Sequence, residues 1–205
     1  MDKDKIKKIF KKPPVLESQR IILRKLKVGD YKDMFEYASR DDVTKYLLWK
    51  SHPDADYTFD YLTYVQTQYK SGDFYDFAVV LRETGKMIGT CGFSSFDFPN
   101  NSAEIGYVIN PSFRGNGYAD EAVFRLLAYG FTELDLKRIE ARYVVNNDSS
   151  RRVMEKCGMT FEGIHRSSVY LKGKYADVGY YSILLDEYID MLIRDSSRNE
   201  ETGNG

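Results

Sequence analysis

No feature of this 205-residue chain restricts its architecture as tightly as the six residues Arg114-Gly115-Asn116-Gly117-Tyr118-Ala119. They join two segments of different period. Upstream, residues 103–110 have the composition of a strand and are closed by Pro111. Downstream, Val123, Leu126, Leu127, Phe131 and Leu134 recur at helical spacing over residues 120–134. Glycines at such a junction let the backbone turn tightly and approach a ligand without a Cβ in the way. The helix start adds unpaired N–H groups and the positive end of the helix dipole, which together suit a phosphate. An ordinary strand-to-helix turn is the alternative, since glycine is common there as well. Two familiar phosphate loops are excluded. Asp120 stands where the dinucleotide-binding pattern needs a third glycine, and the Gly-Lys-Ser/Thr of the P-loop is missing.

The remaining periodicities place the junction in a mixed α/β (α+β) domain. Residues 20–26 read as a strand. Asp30 can cap a helix to about Ser39, and residues 59–69 form a second helix with Phe59, Leu62 and Val65 on one face. Residues 77–81 and 87–96 read as a hairpin around Glu83-Thr84-Gly85-Lys86. After the long helix come a strand at 138–145 and a short helix at 148–157 stopped by Gly158. Strands at 161–171 and 175–185 follow, joined by Lys172-Gly173-Lys174. This order predicts one sheet with helices packed on it. Residues 1–15 read as a Lys-rich tail or a short capping helix, with Ile6, Ile9 and Phe10 on one side and Pro13-Pro14 as its stop. Residues 16–189 form the domain, and residues 190–205 are expected to be a flexible polar tail.

Composition removes several classes of function. Thirty Lys and Arg face 31 Asp and Glu, so no net field favours nucleic acid or an anionic membrane. No apolar run reaches membrane-spanning length. Two histidines and two distant cysteines, Cys91 and Cys157, offer no metal-ligand spacing, so no metal is expected. The cysteines read as buried, reduced thiols. With no secretory signal visible, the expected compartment is the cytoplasm.

A second motif lies one helix and one strand beyond the first, at Asn147-Asp148-Ser149-Ser150-Arg151-Arg152-Val153-Met154-Glu155-Lys156-Cys157-Gly158-Met159. Read locally, it is a capped short helix. Read with the first motif, it resembles the GNAT superfamily of N-acetyltransferases. Residues 103–119 look like that family's acyl-CoA strand and loop, Arg/Gln-x-x-Gly-x-Gly/Ala, with Arg114, Gly117 and Ala119 in register. Residues 147–159 look like the next family segment, with Asn147, Ser150, Lys156 and Gly158 in register and Met159 replacing the usual Phe. The opening Glu17-Ser18-Gln19-Arg20-Ile21-Ile22-Leu23-Arg24 and the closing Lys172-Gly173-Lys174-Tyr175-Ala176-Asp177 are similar to the ribosomal-protein N-terminal (Rim-type) branch.

The resemblance implies a GNAT fold: a single mixed, mostly antiparallel sheet with helices on both faces, in which strand 103–110 parts from strand 138–145. It implies acetyl-CoA as co-substrate, a primary amine as acceptor and a possible homodimer. Val108 and Ile109 would hold the pantetheine arm. Arg114, Gly115, Asn116, Gly117, Tyr118 and Ala119 would hold the pyrophosphate, with Asn147 nearby. Asp120 departs from the family's usual Thr or Ser and brings a negative charge beside that phosphate. Glu104 is the candidate base, directly or through water, and Ser150 the candidate proton donor to the leaving thiolate. A backbone N–H of the parted strand would polarise the thioester carbonyl. Trp49, His52, Phe93 and Tyr170 are candidates for the acceptor pocket. The acceptor is expected to be a protein N-terminus. A polyamine or antibiotic, or a non-catalytic acyl-CoA sensor, are the competing readings.

Overall fold

A computed structural model describes residues 1–202. Its eight strands form one sheet in the order β1-β2-β3-β4-β5-β6-β8-β7. They are β1 (Leu16–Glu17), β2 (Ile21–Arg24), β3 (Asp76–Leu81), β4 (Met87–Asp97), β5 (Ser102–Ile109), β6 (Arg138–Val144), β7 (Thr160–Leu171) and β8 (Lys174–Leu184). Every neighbouring pair is antiparallel except β5 and β6. That one parallel pair needs a crossover, supplied by the long helix α5 (Tyr118–Thr132).

Alternation along β3 divides the core into two layers. Phe77 and Val79 face one side, where they pack with α1 (Lys3–Lys11) and α5. Ala78 and Val80 face the other, where they meet α2 (Tyr31–Ala38) and α4 (Ala55–Ser71). The buried stripe of α4 is Thr58, Leu62, Val65 and Tyr69. Phe59, expected on that stripe, stands 43% exposed against Tyr31. Asp30 precedes α2, but its side chain does not cap that helix. Its carboxylate instead takes two hydrogen bonds from Arg24 and one from the Lys27 amide.

Both chain ends differ from a plain tail. Nine-residue α1 is too short to persist alone, yet Ile6 and Phe10 are fully buried. Phe10 meets the edge of Tyr75 at 5.0 Å between ring centroids and lies 5.9 Å from Phe77. Burial of such a side chain contributes about 1.5–3 kcal/mol, which holds the helix on the sheet. At the other end, helix α7 (Leu185–Thr202) occupies most of the segment expected to be a tail from residue 190. Tyr188 anchors it by stacking on Phe131 at 5.0 Å, and Met191 packs against the same core. Residues 203–205 of the expected tail lie outside the described residues.

The feature that positions the site is where β5 leaves β6. Ser102 to Ile105 pair with Arg138 to Ala141, and the pairing stops there. Beyond that point β5 continues along β4 as far as Ile109, while β6 continues along β8 as far as Val144. The two strands therefore diverge as expected and leave a wedge between them.

Candidate active site

The wedge opens into a cleft of about 610 Å³ that passes through the sheet. The phosphate-loop end is built from backbone. Gly115 and Gly117 take φ of +80° and +77°, a region open to glycine at little cost. Gly117 is the cap residue of α5 and supplies no side-chain cap, so the first-turn amides of α5 stay free for a ligand. The Arg114 Nε donates to the Ile109 carbonyl at 3.1 Å, tying the loop back to the end of β5. Burial pushes the Arg114 pKa down from its ordinary value. Asn116 braces the turn by donating to the Phe113 and Arg114 carbonyls and does not line the cleft; the other five loop residues do. Arg152 and Lys156 from α6 (Asp148–Lys156) line the same end. Lys156 Nζ sits 3.1 Å from Asp120 Oδ2, so the carboxylate that looked unfavourable beside a phosphate carries its own counter-charge.

In the middle of the cleft β5 presents two faces. Glu104, Gly106 and Val108 point to the α2–α4 side, and Ile105, Tyr107 and Ile109 to the α5–α6 side. Val108 and Ile109 both line the cleft. Asn147 caps α6, its Oδ1 accepting from the Ser150 amide at 3.4 Å, and also lines the cleft. Ser150 Oγ lies 3.1 Å from the Tyr107 hydroxyl, which donates to the Ser150 carbonyl at 2.8 Å. Burial holds the Tyr107 hydroxyl well above its ordinary pKa, so it stays protonated. The pair forms a hydroxyl cluster in the wedge. Tyr107 was visible in sequence only as an aromatic on a strand; its alternation away from Glu104 was the available signal.

The acceptor end is built from side chains. Glu104 lies in the cleft floor, with its carboxylate 2.9 Å from Arg142 Nε. That guanidinium competes for the carboxylate lone pairs, which suits Glu104 to holding an amine more than to removing its proton. A strap over residues 42–49 forms one wall, and Val169, Leu171 and Val178 of the last hairpin form the other. Lys172, at the hairpin tip, donates to the Thr44 carbonyl and hydroxyl at 2.7 and 3.0 Å. Tyr46 donates to the Asn146 carbonyl at 3.1 Å. These two clasps hold the strap across the cleft.

Of the four acceptor candidates, Trp49 lines the cleft. The other three do not. His52 is buried behind the strap, its Nδ1 2.8 Å from Thr58 Oγ1 and its ring against Tyr57 and Tyr61. Burial pushes its pKa down, which fits a neutral packing residue. Phe93 belongs to the core on the α1–α5 side. Tyr170 stands 63% exposed on the hairpin against Tyr175. A lone aromatic in sequence does not reveal which face of a sheet it will occupy, and that is why three of four miss the cleft.

Comparison with known proteins agrees with this geometry. The family model "Acetyltransferase (GNAT) domain" matches residues 20–160. The uncharacterized N-acetyltransferase p20 of Bacillus licheniformis is 35% identical over 173 residues, covering 84% of this chain and 97% of that protein. The ribosomal-protein-serine acetyltransferase of Escherichia coli is 29% identical over 101 residues, covering 49% of this chain and 56% of that protein. Among solved structures, a GNAT-family acetyltransferase from Bacillus anthracis superposes with a TM-score of 0.75 at 32% identity, covering 84% and 99% of the two chains. Spermidine N-acetyltransferase from Vibrio cholerae, solved with CoA and spermine, does so with a TM-score of 0.72 at 25% identity, covering 84% and 99%. With its parted parallel strands, its glycine loop at a helix start and these likenesses, the chain belongs to the GNAT family and is an acetyl-CoA-dependent N-acetyltransferase.

Proposed function

We propose that the chain acetylates the α-amine of a protein N-terminus. The observation that carries this reading is the charge balance of the acceptor end. Its two carboxylates are already engaged, Glu104 by Arg142 and Asp42 by Arg40 at 2.9 Å. The walls are apolar, from Leu47, Leu48 and Trp49 to Val169 and Leu171. A polyamine brings several ammonium groups that need unpaired carboxylates, whereas a peptide brings one amine and an apolar side chain.

Acetyl-CoA fits the other end by the chemistry of its donors. Free amides at the start of α5, with Arg114, Arg152 and Lys156 around them, suit the pyrophosphate. Val108 and Ile109 edge the wedge where a pantetheine arm can lie. The thioester supplies an activated acetyl group, and the residues do the rest. An α-amine has a pKa near ~8 and a lysine near ~10.4, so the first needs less help to lose its proton near neutral pH. Glu104 orients the amine. The Ser150–Tyr107 hydroxyls stand on the opposite face of β5, placed to give a proton to the departing sulfur.

The test is mass spectrometry of acetyl-CoA reactions against a panel of N-terminal peptides, polyamines and aminoglycosides. Acetylation confined to peptide α-amines is expected. Turnover of a polyamine alone would replace the acceptor in this reading, and acetyl-CoA binding without any turnover would favour a sensor.

A further inference from the structure

The opening segment Glu17 to Arg24, whose sequence is similar to the Rim-type branch, lines no part of the cleft. Its Arg20 nevertheless reaches the phosphate loop, 96 positions later in the chain. The Arg20 Nη1 donates to the Asn116 carbonyl at 2.9 Å. The guanidinium lies 4.9 Å from the centre of the Tyr118 ring, and its Nη2 stands 3.4 Å from the place a Cβ on Gly117 would take.

That guanidinium is itself held. Glu121, in the first turn of α5, accepts from the Arg20 Nε and from the Arg20 amide, each at 2.7 Å, and from the Ser18 hydroxyl. Burial works to raise the Glu121 pKa, but these hydrogen bonds outweigh it and hold the carboxyl below its ordinary value, so it is ionised. Both of its oxygens are engaged. With Nε fixed on the carboxylate, the planar fork of Arg20 turns its remaining donors to the loop.

The bond to the Asn116 carbonyl also sets the next N–H. In a trans peptide the carbonyl of residue 116 and the N–H of residue 117 point in opposite directions. Gly117 borders both the groove that holds Arg20 and the cleft. With the carbonyl held on the Arg20 side, the Gly117 N–H is turned to the cleft side, and it has no acceptor among the described residues. Local conformation does not fix this plane, because glycine at 117 accepts φ of either sign. Turned over, it would aim a carbonyl oxygen at a phosphate in place of an N–H.

We infer that Arg20 is a positioning residue for acetyl-CoA: held by Glu121, it locks the 116–117 peptide plane with the Gly117 N–H toward the pyrophosphate. The inference rests on the reading of this loop as the pyrophosphate site. Arg20 touches no ligand in this role and acts through the conformation of the loop.

The experiment is calorimetry of Arg20→Met and Arg20→Lys with acetyl-CoA and, separately, with pantetheine, which has the arm but no pyrophosphate. Arg20→Met keeps the apolar stem and loses every donor. Acetyl-CoA should bind it about tenfold more weakly, with pantetheine affinity unchanged. Arg20→Lys keeps the charge and a partner for Glu121, but one ammonium does not reproduce the fork that also holds the carbonyl. It should show the same split, and it carries the test if Arg20→Met does not fold. Equal weakening of both ligands would make Arg20 a general brace of the cleft and overturn the lock. Wild-type acetyl-CoA affinity in Arg20→Lys would make it a charge acting at a distance and overturn the lock as well. Unchanged affinity in both variants, while Gly117→Val still weakens acetyl-CoA, overturns Arg20 alone. If Gly117→Val also leaves the affinity unchanged, the loop is not the pyrophosphate site and Arg20 falls with it.

Discussion

The two ends of the cleft hold their ligands by different means. At the loop end the groups that face a ligand are mainly backbone amides and two glycines at positive φ at the start of α5, with Arg152 and Lys156 of α6 beside them. At the acceptor end they are side chains from four separate stretches: the strap at 42–49, β5, β6 and the last hairpin. A backbone site is fixed by local conformation. A side-chain site exists only while distant segments stay clasped, here by Lys172 on Thr44 across 128 residues. The loop end should therefore respond to conformational substitutions and the acceptor end to loss of single hydrogen bonds.

The largest effect is expected at the loop. Gly117→Val places a β-branched residue at φ +77°, with Arg20 Nη2 only 3.4 Å from the new Cβ. The left-handed region costs such a residue about 1–2 kcal/mol or more, and relief of that strain turns the amides away. Calorimetry should show acetyl-CoA bound on the order of 30-fold more weakly. Unchanged affinity would remove the loop from the phosphate site and dissolve the contrast.

A smaller effect is expected between the two ends. Ser150→Ala removes one hydroxyl from the pair with Tyr107 while leaving the Ser150 carbonyl as a partner for Tyr107. A net hydrogen bond of about 1–1.5 kcal/mol corresponds to roughly a tenfold loss. It should appear in kcat, with acetyl-CoA affinity intact. A loss confined to KM would make Ser150 a binding group only.

The smallest effect belongs to the clasp. Lys172→Met keeps the length of the side chain but loses both bonds to Thr44. The acceptor KM should rise about fivefold, with the acetyl-CoA dissociation constant unmoved. Equal weakening of both ligands would mean that the strap serves the whole cleft and that the two ends are not separable.

Much of the scaffold was legible because its signals are local. The β-rich run of β3, the turn at 83–86 and the Gly158 stop each follow from neighbours in sequence, and β2 to β8 fall within a few residues of expectation, while the two-residue β1 was not foreseen. Asp120 shows where local reading ends. Beside a phosphate loop its charge looked adverse, and only the fold brings Lys156 to it. Glu104 shows the reverse: a free carboxylate in sequence, it is engaged by Arg142, 38 positions later in the chain, across the parallel pair.

By itself the sequence determined the family, the order of elements and the phosphate loop, because glycine conformations, helix starts and hydrophobic period are properties of contiguous residues. Tertiary structure decided which cations engage Glu104 and Asp120, and it decided which aromatics reach the cleft. Those outcomes depend on strand register and on which face of the sheet a residue meets, and both are set by partners far away in the chain.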